Sequence, residues 1–262
     1  MSERNQYGDA VIEGMEKLFG EGFLSPGGAA EVHEMLDGIE VAGHDVLDLG
    51  CGIGGATLML ARDYGAGHVT GVDIEADSIA RTTAKVAAAG LADRVTLMAV
   101  TPGPLPLADA RFDLVVCKDV ACHMADKAAF FAEAFRVLRP GGRFLCTDFL
   151  GGEDSAVAVY LDDYVTKIAE YGLTFRFEPR AVYADGLAAA GFDPIDLRDN
   201  SATTIRATRR ETEFLANPES TGLKQALGDE MFAVRVAASG IRLKALESGA
   251  LSHGHFRAQR PG

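Results

Sequence analysis

The chain is poor in several things, and each shortage excludes something. It has no apolar run near the roughly 18 residues that a membrane-spanning helix needs, so none is expected. Basic residues are few: 25 Lys and Arg stand against 38 Asp and Glu, a net charge of −13 over 262 residues. Such an acidic surface repels phosphate backbones, which makes nucleic acid and anionic membrane poor partners. The four cysteines (Cys51, Cys117, Cys122 and Cys146) have neither C-x-x-C spacing nor the density of a disulfide scaffold. Buried, reduced thiols are expected, and with them a cytoplasmic location. The first residues, MSERNQYGDA, lack the basic-then-apolar pattern of an export signal. His253 and His255 alternate in a strand-like segment with no third ligand nearby, so no metal is expected. Internal repeats and low-complexity tails are also missing.

What remains is the composition of a folded domain. With 48% hydrophobic and 24% charged residues, the chain buries a full core, and disorder is excluded. Short apolar runs alternate with Ala-rich helical stretches, the rhythm of a parallel α/β sheet. Strands are predicted at Val46–Leu49, His68–Asp73, Val95–Ala99, Leu114–Cys117 and Arg143–Thr147, with helices at Ala56–Tyr64, Ser78–Ala89 and Lys127–Leu138. The turn Arg139-Pro140-Gly141-Gly142 ends the last of these helices. After Phe149 the rhythm stops in a polar and aromatic stretch. It resumes with a helix at Ala181–Ala190 and a short strand near Phe192–Leu197. Residues 200–249 are predicted to be helical, with turn signals at Asn217-Pro218 and Gly228-Asp229, and a final strand is expected at His255–Ala258.

Residues 46–55 read VLDLGCGIGG, a strand entering a glycine-rich turn. In parallel α/β sheets ligands bind at this carboxyl end. Gly50, Gly52 and Gly55 satisfy the dinucleotide pattern G-x-G-x-x-G. Against that reading, Asp48 precedes the turn where a pyrophosphate would be repelled, and Gly54 completes D-x-G-x-G-x-G. An acid there suits a cationic ligand. Asp73, in GVDIE at the end of the second strand, is placed to accept both hydroxyls of a ribose. Together these residues resemble the S-adenosylmethionine site of class I, Rossmann-like methyltransferases.

Further segments resemble the phosphoethanolamine N-methyltransferases: Asn5-Gln6-Tyr7 with FGEGFLSPGG, KDVACHM, FRVLRPGG and the closing GHFRA. The resemblance implies an α/β fold with a seven-stranded, mostly parallel sheet and helical lid insertions. It divides the chain into an N-terminal lid (1–40), a cofactor-binding core (41–148), a helical insertion over the site (149–182) and the rest of the core (183–262), with a second insertion at about 200–250; together these form one domain. By resemblance, Gln6, Tyr7 and Ser25 close over S-adenosylmethionine, and Tyr7 also faces the substrate amine. Asp48, Gly50 and Gly52 hold the methionine moiety, Asp73 and Ile74 the ribose and adenine. Asp119 and His123 line the substrate pocket beside the cofactor and assist proton removal.

The same resemblance exposes departures. Thr101 stands where the family usually has an acid beside the adenine amine. Phe149 replaces a phosphate-binding tyrosine, Ile168 a phosphate-binding arginine, and the distal lysine falls near Ala237. The phosphate half therefore reads as lost. Asp119, four positions before His123, would meet it on a helix and fix its tautomer. Tyr160, Tyr164, Tyr171 and Tyr183, with Tyr7, are candidates for an aromatic cage around a methylammonium, with ordinary helix packing as the alternative. Arg176, Arg180, Arg206, Arg209, Arg210 and Arg235 are candidate carboxylate partners. The expectation is an S-adenosylmethionine-dependent methyltransferase, monomeric or homodimeric and without a metal, acting on nitrogen of a small polar molecule. Alternatives are a phosphoethanolamine methyltransferase proper, an oxygen, sulfur or carbon methyltransferase, and a catalytically silent nucleotide-binding module.

Overall fold

The computed structural model describes residues 9–170 and 174–262. Gln6, Tyr7 and Tyr171 lie outside the described residues. Helices α1 (Asp9–Phe19) and α2 (Gly28–Leu36) lead into β1 (Asp45–Leu49), α3 (Gly55–Arg62), β2 (His68–Asp73), α4 (Ala76–Ala88) and β3 (Val95–Ala99). Then come β4 (Phe112–Lys118), α5 (Lys127–Val137), β5 (Leu138–Gly151), α6 (Ala158–Ala169) and α7 (Arg180–Ala190). The chain closes with β6 (Ile195–Asp199), α8 (Ser201–Ala216), α9 (Thr221–Ser248) and β7 (Leu251–Gln259).

The seven strands form one sheet in the order β3-β2-β1-β4-β5-β7-β6. β7 runs antiparallel to β5 and β6, and the other described pairings are parallel. The order reverses between β1 and β4, which opens a crevice at the carboxyl ends of these strands. Period-two alternation divides the core between two faces. Leu47, Val115, Phe144 and Phe256 pack with Phe131 and Leu187, from α5 and α7. Val46, Leu114, Val116 and Leu145 pack with Val32, Met35 and Leu60, from α2 and α3. A third cluster joins Phe149 to Tyr164 and Ile168 of α6 and to Ala238, Ala245 and Leu246 of α9, forming a helical cap. No helix among the described residues is long and apolar enough to cross a membrane.

Element boundaries depart from the sequence reading where pairing overrides local pattern. β5 starts at Leu138, paired with Phe112, and the next pairing is Arg143 with Leu114; Arg139 to Gly142 are a bulge inside the strand. β7 spans nine residues, all paired to β5, because ladder hydrogen bonds tolerate the polar Ser252 and Gly254 that disguise it in sequence. β6 begins only at Ile195, since Phe192 packs its ring against Phe135 and Phe144. The turn signal at Gly228 is a non-helical residue within α9.

Candidate active site

The carboxyl ends of β1, β2 and β4, with α1, α6 and α9, enclose a cavity of about 510 Å³. Its floor begins at the turn after β1, where the Gly50 and Cys51 N–H groups donate to the Val72 carbonyl at 2.9 and 3.0 Å. Gly50 has a φ of +81°, and a β-carbon there would overlap the Val120 side chain. Asp73 braces this turn: its carboxylate accepts from the Gly52 N–H at 2.8 Å and the Glu75 N–H at 2.9 Å. Each oxygen keeps a lone pair for a ligand hydroxyl. Asp48 is buried, accepts from Thr57 Oγ1 at 2.5 Å, and is pushed up to about 6 by burial. A cationic ligand beside it would favour its charged form. These features make a turn with no side chain at Gly50 or Gly52 and a fixed acid on each side, a fit for a nucleoside carrying a cationic sulfur.

The cavity wall includes Ser25, Ile74 and Thr101 together with Asp48, Gly50, Gly52 and Asp73. Val11, Met15 and Phe19, four apart on one face of α1, line it as well. Across from them stand Asp119, His123, Phe149 and Tyr164. Ser25, Asp48, Gly50, Gly52, Asp73, Ile74, Thr101, Asp119, His123, Phe149 and Tyr164 therefore border one space. Ser25 is also tied down, its Oγ accepting from Lys118 Nζ at 2.7 Å.

The expected Asp119–His123 pair is corrected by the structure. The chain leaves β4 through Asp119 with φ of +55° and enters a single short turn, Ala121–His123, so the helical four-residue register never forms. His123 Nδ1 meets the Thr174 carbonyl at 3.0 Å, and its ring packs on Phe175 with centroids 4.3 Å apart. A carbonyl partner makes Nδ1 the protonated nitrogen and leaves Nε2 as acceptor. Burial lowers the His123 pKa and favours the neutral ring. Asp148, at the end of β5, holds this turn through the Cys122 N–H at 2.6 Å and accepts from the Tyr183 hydroxyl at 3.1 Å. Burial and the nearby Asp119 charge push Asp148 up to about 7.

Asp119 instead joins a buried charge cluster. Lys118 Nζ lies 2.5 Å from Asp119 and 2.6 Å from Glu31 of α2, and His253 Nε2 lies 3.0 Å from Asp119 and 3.2 Å from Glu31. Burial opposes the Asp119 charge, but Lys118 and His253 outweigh it and hold the carboxylate ionised. Burial likewise disfavours charge on His253, yet Glu31 and Asp119 raise its pKa. The expectation that His253 and His255 lack a third ligating group is also overturned, since Glu31 joins them with ligand atoms within 4.8 Å of one another. The Lys118 ammonium already serves Glu31 as a cation.

The aromatic cage is corrected too. Tyr183 is wholly buried under the sheet, stacked on Phe256, and Tyr160 is 40% exposed. Tyr164 alone of the three reaches the cavity, stacked on Phe177 at 5.9 Å. Of the six candidate arginines only Arg235 borders the cavity, beside the unforeseen Arg242. Arg209 is 52% exposed and pairs with Glu247. Burial works against the Arg242 charge, but Glu211 and Tyr164 hold it. Phe175 is a third residue missed; only a contact from outside its own segment reveals it.

Residues 46–142 match the family model described as "Methyltransferase domain". Phosphoethanolamine N-methyltransferase 1 of Triticum aestivum is 29% identical over 207 residues, covering 79% of this chain and 40% of that protein. The chain thus spans about two-fifths of that relative's length. Methyltransferase GfsG of Streptomyces halstedii is 32% identical over 212 residues, covering 79% of this chain and 72% of its own. The solved Haemonchus contortus phosphoethanolamine N-methyltransferase 2, in complex with phosphomonomethylethanolamine and S-adenosylhomocysteine, superposes with a TM-score of 0.86 at 24% identity, over 99% of this chain and 59% of that one. At that identity the match speaks for the fold. With the sheet order and the glycine turn flanked by Asp48 and Asp73, these relationships place the chain in the class I S-adenosylmethionine-dependent methyltransferases.

Proposed function

We propose that this methyltransferase acts on the nitrogen of a small polar amine or amino-acid-like acceptor that carries no phosphate. The observation that supports nitrogen is His123, whose burial and Thr174 contact favour a neutral ring bordering the cavity, its Nε2 without a partner among the described residues. An amine attacks only when neutral, and a base of this kind removes its proton. S-adenosylmethionine, when bound, supplies a methyl group on a cationic sulfur; the amine lone pair forms the C–N bond as the C–S electron pair returns to sulfur. Asp48, Gly50 and Gly52 would hold its methionine part, Asp73 and Ile74 its ribose and adenine, with Thr101 at the adenine edge and Ser25 in the covering segment. Asp119, kept ionised by Lys118 and His253, holds the incoming ammonium near His123. His123 then takes the N–H proton at Nε2, while Phe149 and Tyr164 keep water from the reacting atoms. By resemblance Gln6 and Tyr7 complete the cover.

Phe149 and Ile168 support the choice of a phosphate-free acceptor. Both sit in the apolar cap cluster, and neither of these two side chains offers a hydroxyl or a guanidinium. A dianion against them would leave oxygens unpaired, at a cost of about several kcal/mol. The four free cysteines, all buried, support a reducing, cytoplasmic setting. The test compares kcat/KM for glycine, sarcosine and ethanolamine with phosphoethanolamine, alongside S-adenosylhomocysteine and NAD titrations. Methylation of an unphosphorylated amine in preference to phosphoethanolamine is expected. Preference for the phosphorylated amine, or transfer only to oxygen, sulfur or carbon acceptors, would overturn the reading.

A further inference from the structure

α9 turns Arg235, Ala238, Ser239 and Arg242 toward the cavity, the spacing of one helical face. The two middle side chains are small, which leaves room between the arginines. Both arginines are more than nine-tenths buried, at 8% and 6% exposure. Glu211 of α8 accepts one N–H from each, from Arg235 at 2.7 Å and from Arg242. Arg242 also meets the Tyr164 side chain. The Nε atoms of both arginines are buried and have no hydrogen-bond partner among the described residues. Among the described residues, Glu211 is the carboxylate that pairs with either guanidinium. Two cations against one anion leave a buried site with one surplus positive charge, and a buried surplus charge calls for a counter-ion.

We infer that Arg235 and Arg242, bridged by Glu211, form a carboxylate-binding subsite at the helical end of the cavity that selects acceptors with a single negative charge. The inference rests on the reading of this cavity as an acceptor site, and it narrows the acceptor to an amine that also bears a carboxylate. A planar carboxylate presents two oxygens to the two forks opposite Glu211 and brings the local charge to zero. A phosphate dianion would overshoot it. The small methylated amine then lies between this subsite and the Asp119–His123 end of the same cavity.

The test uses three probes with one trimethylammonium head and different tails: glycine betaine, choline and phosphocholine. None offers a nitrogen left to methylate, so binding to the S-adenosylhomocysteine-loaded protein is read by calorimetry without turnover. Betaine is expected to bind about tenfold or more tighter than choline, as a charged fork–fork pair does, and tighter than phosphocholine. In Arg235→Gln and Arg242→Gln, checked for folding by circular dichroism, the betaine-to-choline ratio falls to about one. Glu211→Gln keeps both arginines and raises the local charge, so it shifts preference toward phosphocholine by about tenfold. Equal binding of betaine and choline, no binding of any of the three, a phosphocholine preference in the unaltered protein, or a ratio that survives all the substitutions would overturn the subsite. Betaine selectivity in a protein that methylates no amine would instead leave the subsite standing and remove the nitrogen-acceptor reading.

Discussion

The two ends of the cavity are built by different means. At the sheet end the backbone does most of the shaping. Gly50 and Gly52 belong to one short turn, and Asp73 reaches that turn through a main-chain N–H from a strand that pairs with β1. At the helical end side chains do it. Arg235 and Arg242 of one helix meet Glu211 from another. Backbone shape tolerates few alternatives, so the sheet end is suited to holding one cofactor. Side chains on a packed helical cap change one at a time without disturbing the sheet, so this is the end where acceptor choice is free to vary.

The sharpest way to break this division is at His123, where the two ends meet. His123→Ala is expected to lower kcat by about 10²–10⁴-fold while S-adenosylhomocysteine affinity stays near its original value. Steady-state kinetics with calorimetry check it; full turnover would leave His123 as packing. Because burial lowers its pKa, the acid limb of the kcat–pH profile should lie below the ordinary histidine range.

Next in size is the glycine turn. Gly50→Ala forces a β-carbon into left-handed backbone and onto Val120. Urea denaturation should show a loss of about 2–4 kcal/mol from backbone strain and overpacking combined. Asp73→Ala, read by calorimetry, should weaken S-adenosylhomocysteine binding by about 1–3 kcal/mol, and it also loosens Gly52.

A smaller effect separates the sulfonium from the thioether. Asp48 titrates near 6 in the unliganded protein because it is buried. A neighbouring cation lowers that pKa, so affinity for S-adenosylmethionine, followed by calorimetry across pH, should rise through about 6 and then level off. The rise is about tenfold for each pH unit by which the bound sulfonium lowers the Asp48 pKa. S-adenosylhomocysteine carries no such charge and should show a flatter profile. On folding the sign is reversed: a carboxyl raised in the native state is most favourable while protonated, so its contribution to stability declines as pH climbs from its unfolded value toward 6. The smallest expected effect is at Tyr160, which is exposed outside the cavity. Tyr160→Ala should change stability by less than about 0.5 kcal/mol and leave kcat/KM unaltered.

Much of the sheet end is legible in the sequence for a local reason. The run of apolar β-formers, the glycines after it and an acid at the end of the next apolar run each report the conformation of their own few residues. Strand rhythm likewise located β1 to β4 almost to the residue, since alternation is a property of contiguous chain. Where local signal and pairing conflict, pairing prevails. β7 recruits Ser252 and Gly254 because nine positions of β5 demand partners. The short turn after β4, held by the Asp148 carboxylate on Cys122, displaces the helix that an i, i+4 reading of Asp119 and His123 requires.

By itself, then, the chain's sequence determined the α/β class, the glycine turn and the two acids beside it, because these follow from periodicity, from the conformational freedom of glycine and from residues close along the chain. Tertiary structure alone decided which tyrosine reaches the cavity, that Thr174 rather than Asp119 sets the His123 ring, that Glu31 joins His253 and His255, and that two arginines of one helix face converge on Glu211. Those outcomes depend on which side chains are brought together from distant segments and deprived of water, and neither proximity nor desolvation is written in local order.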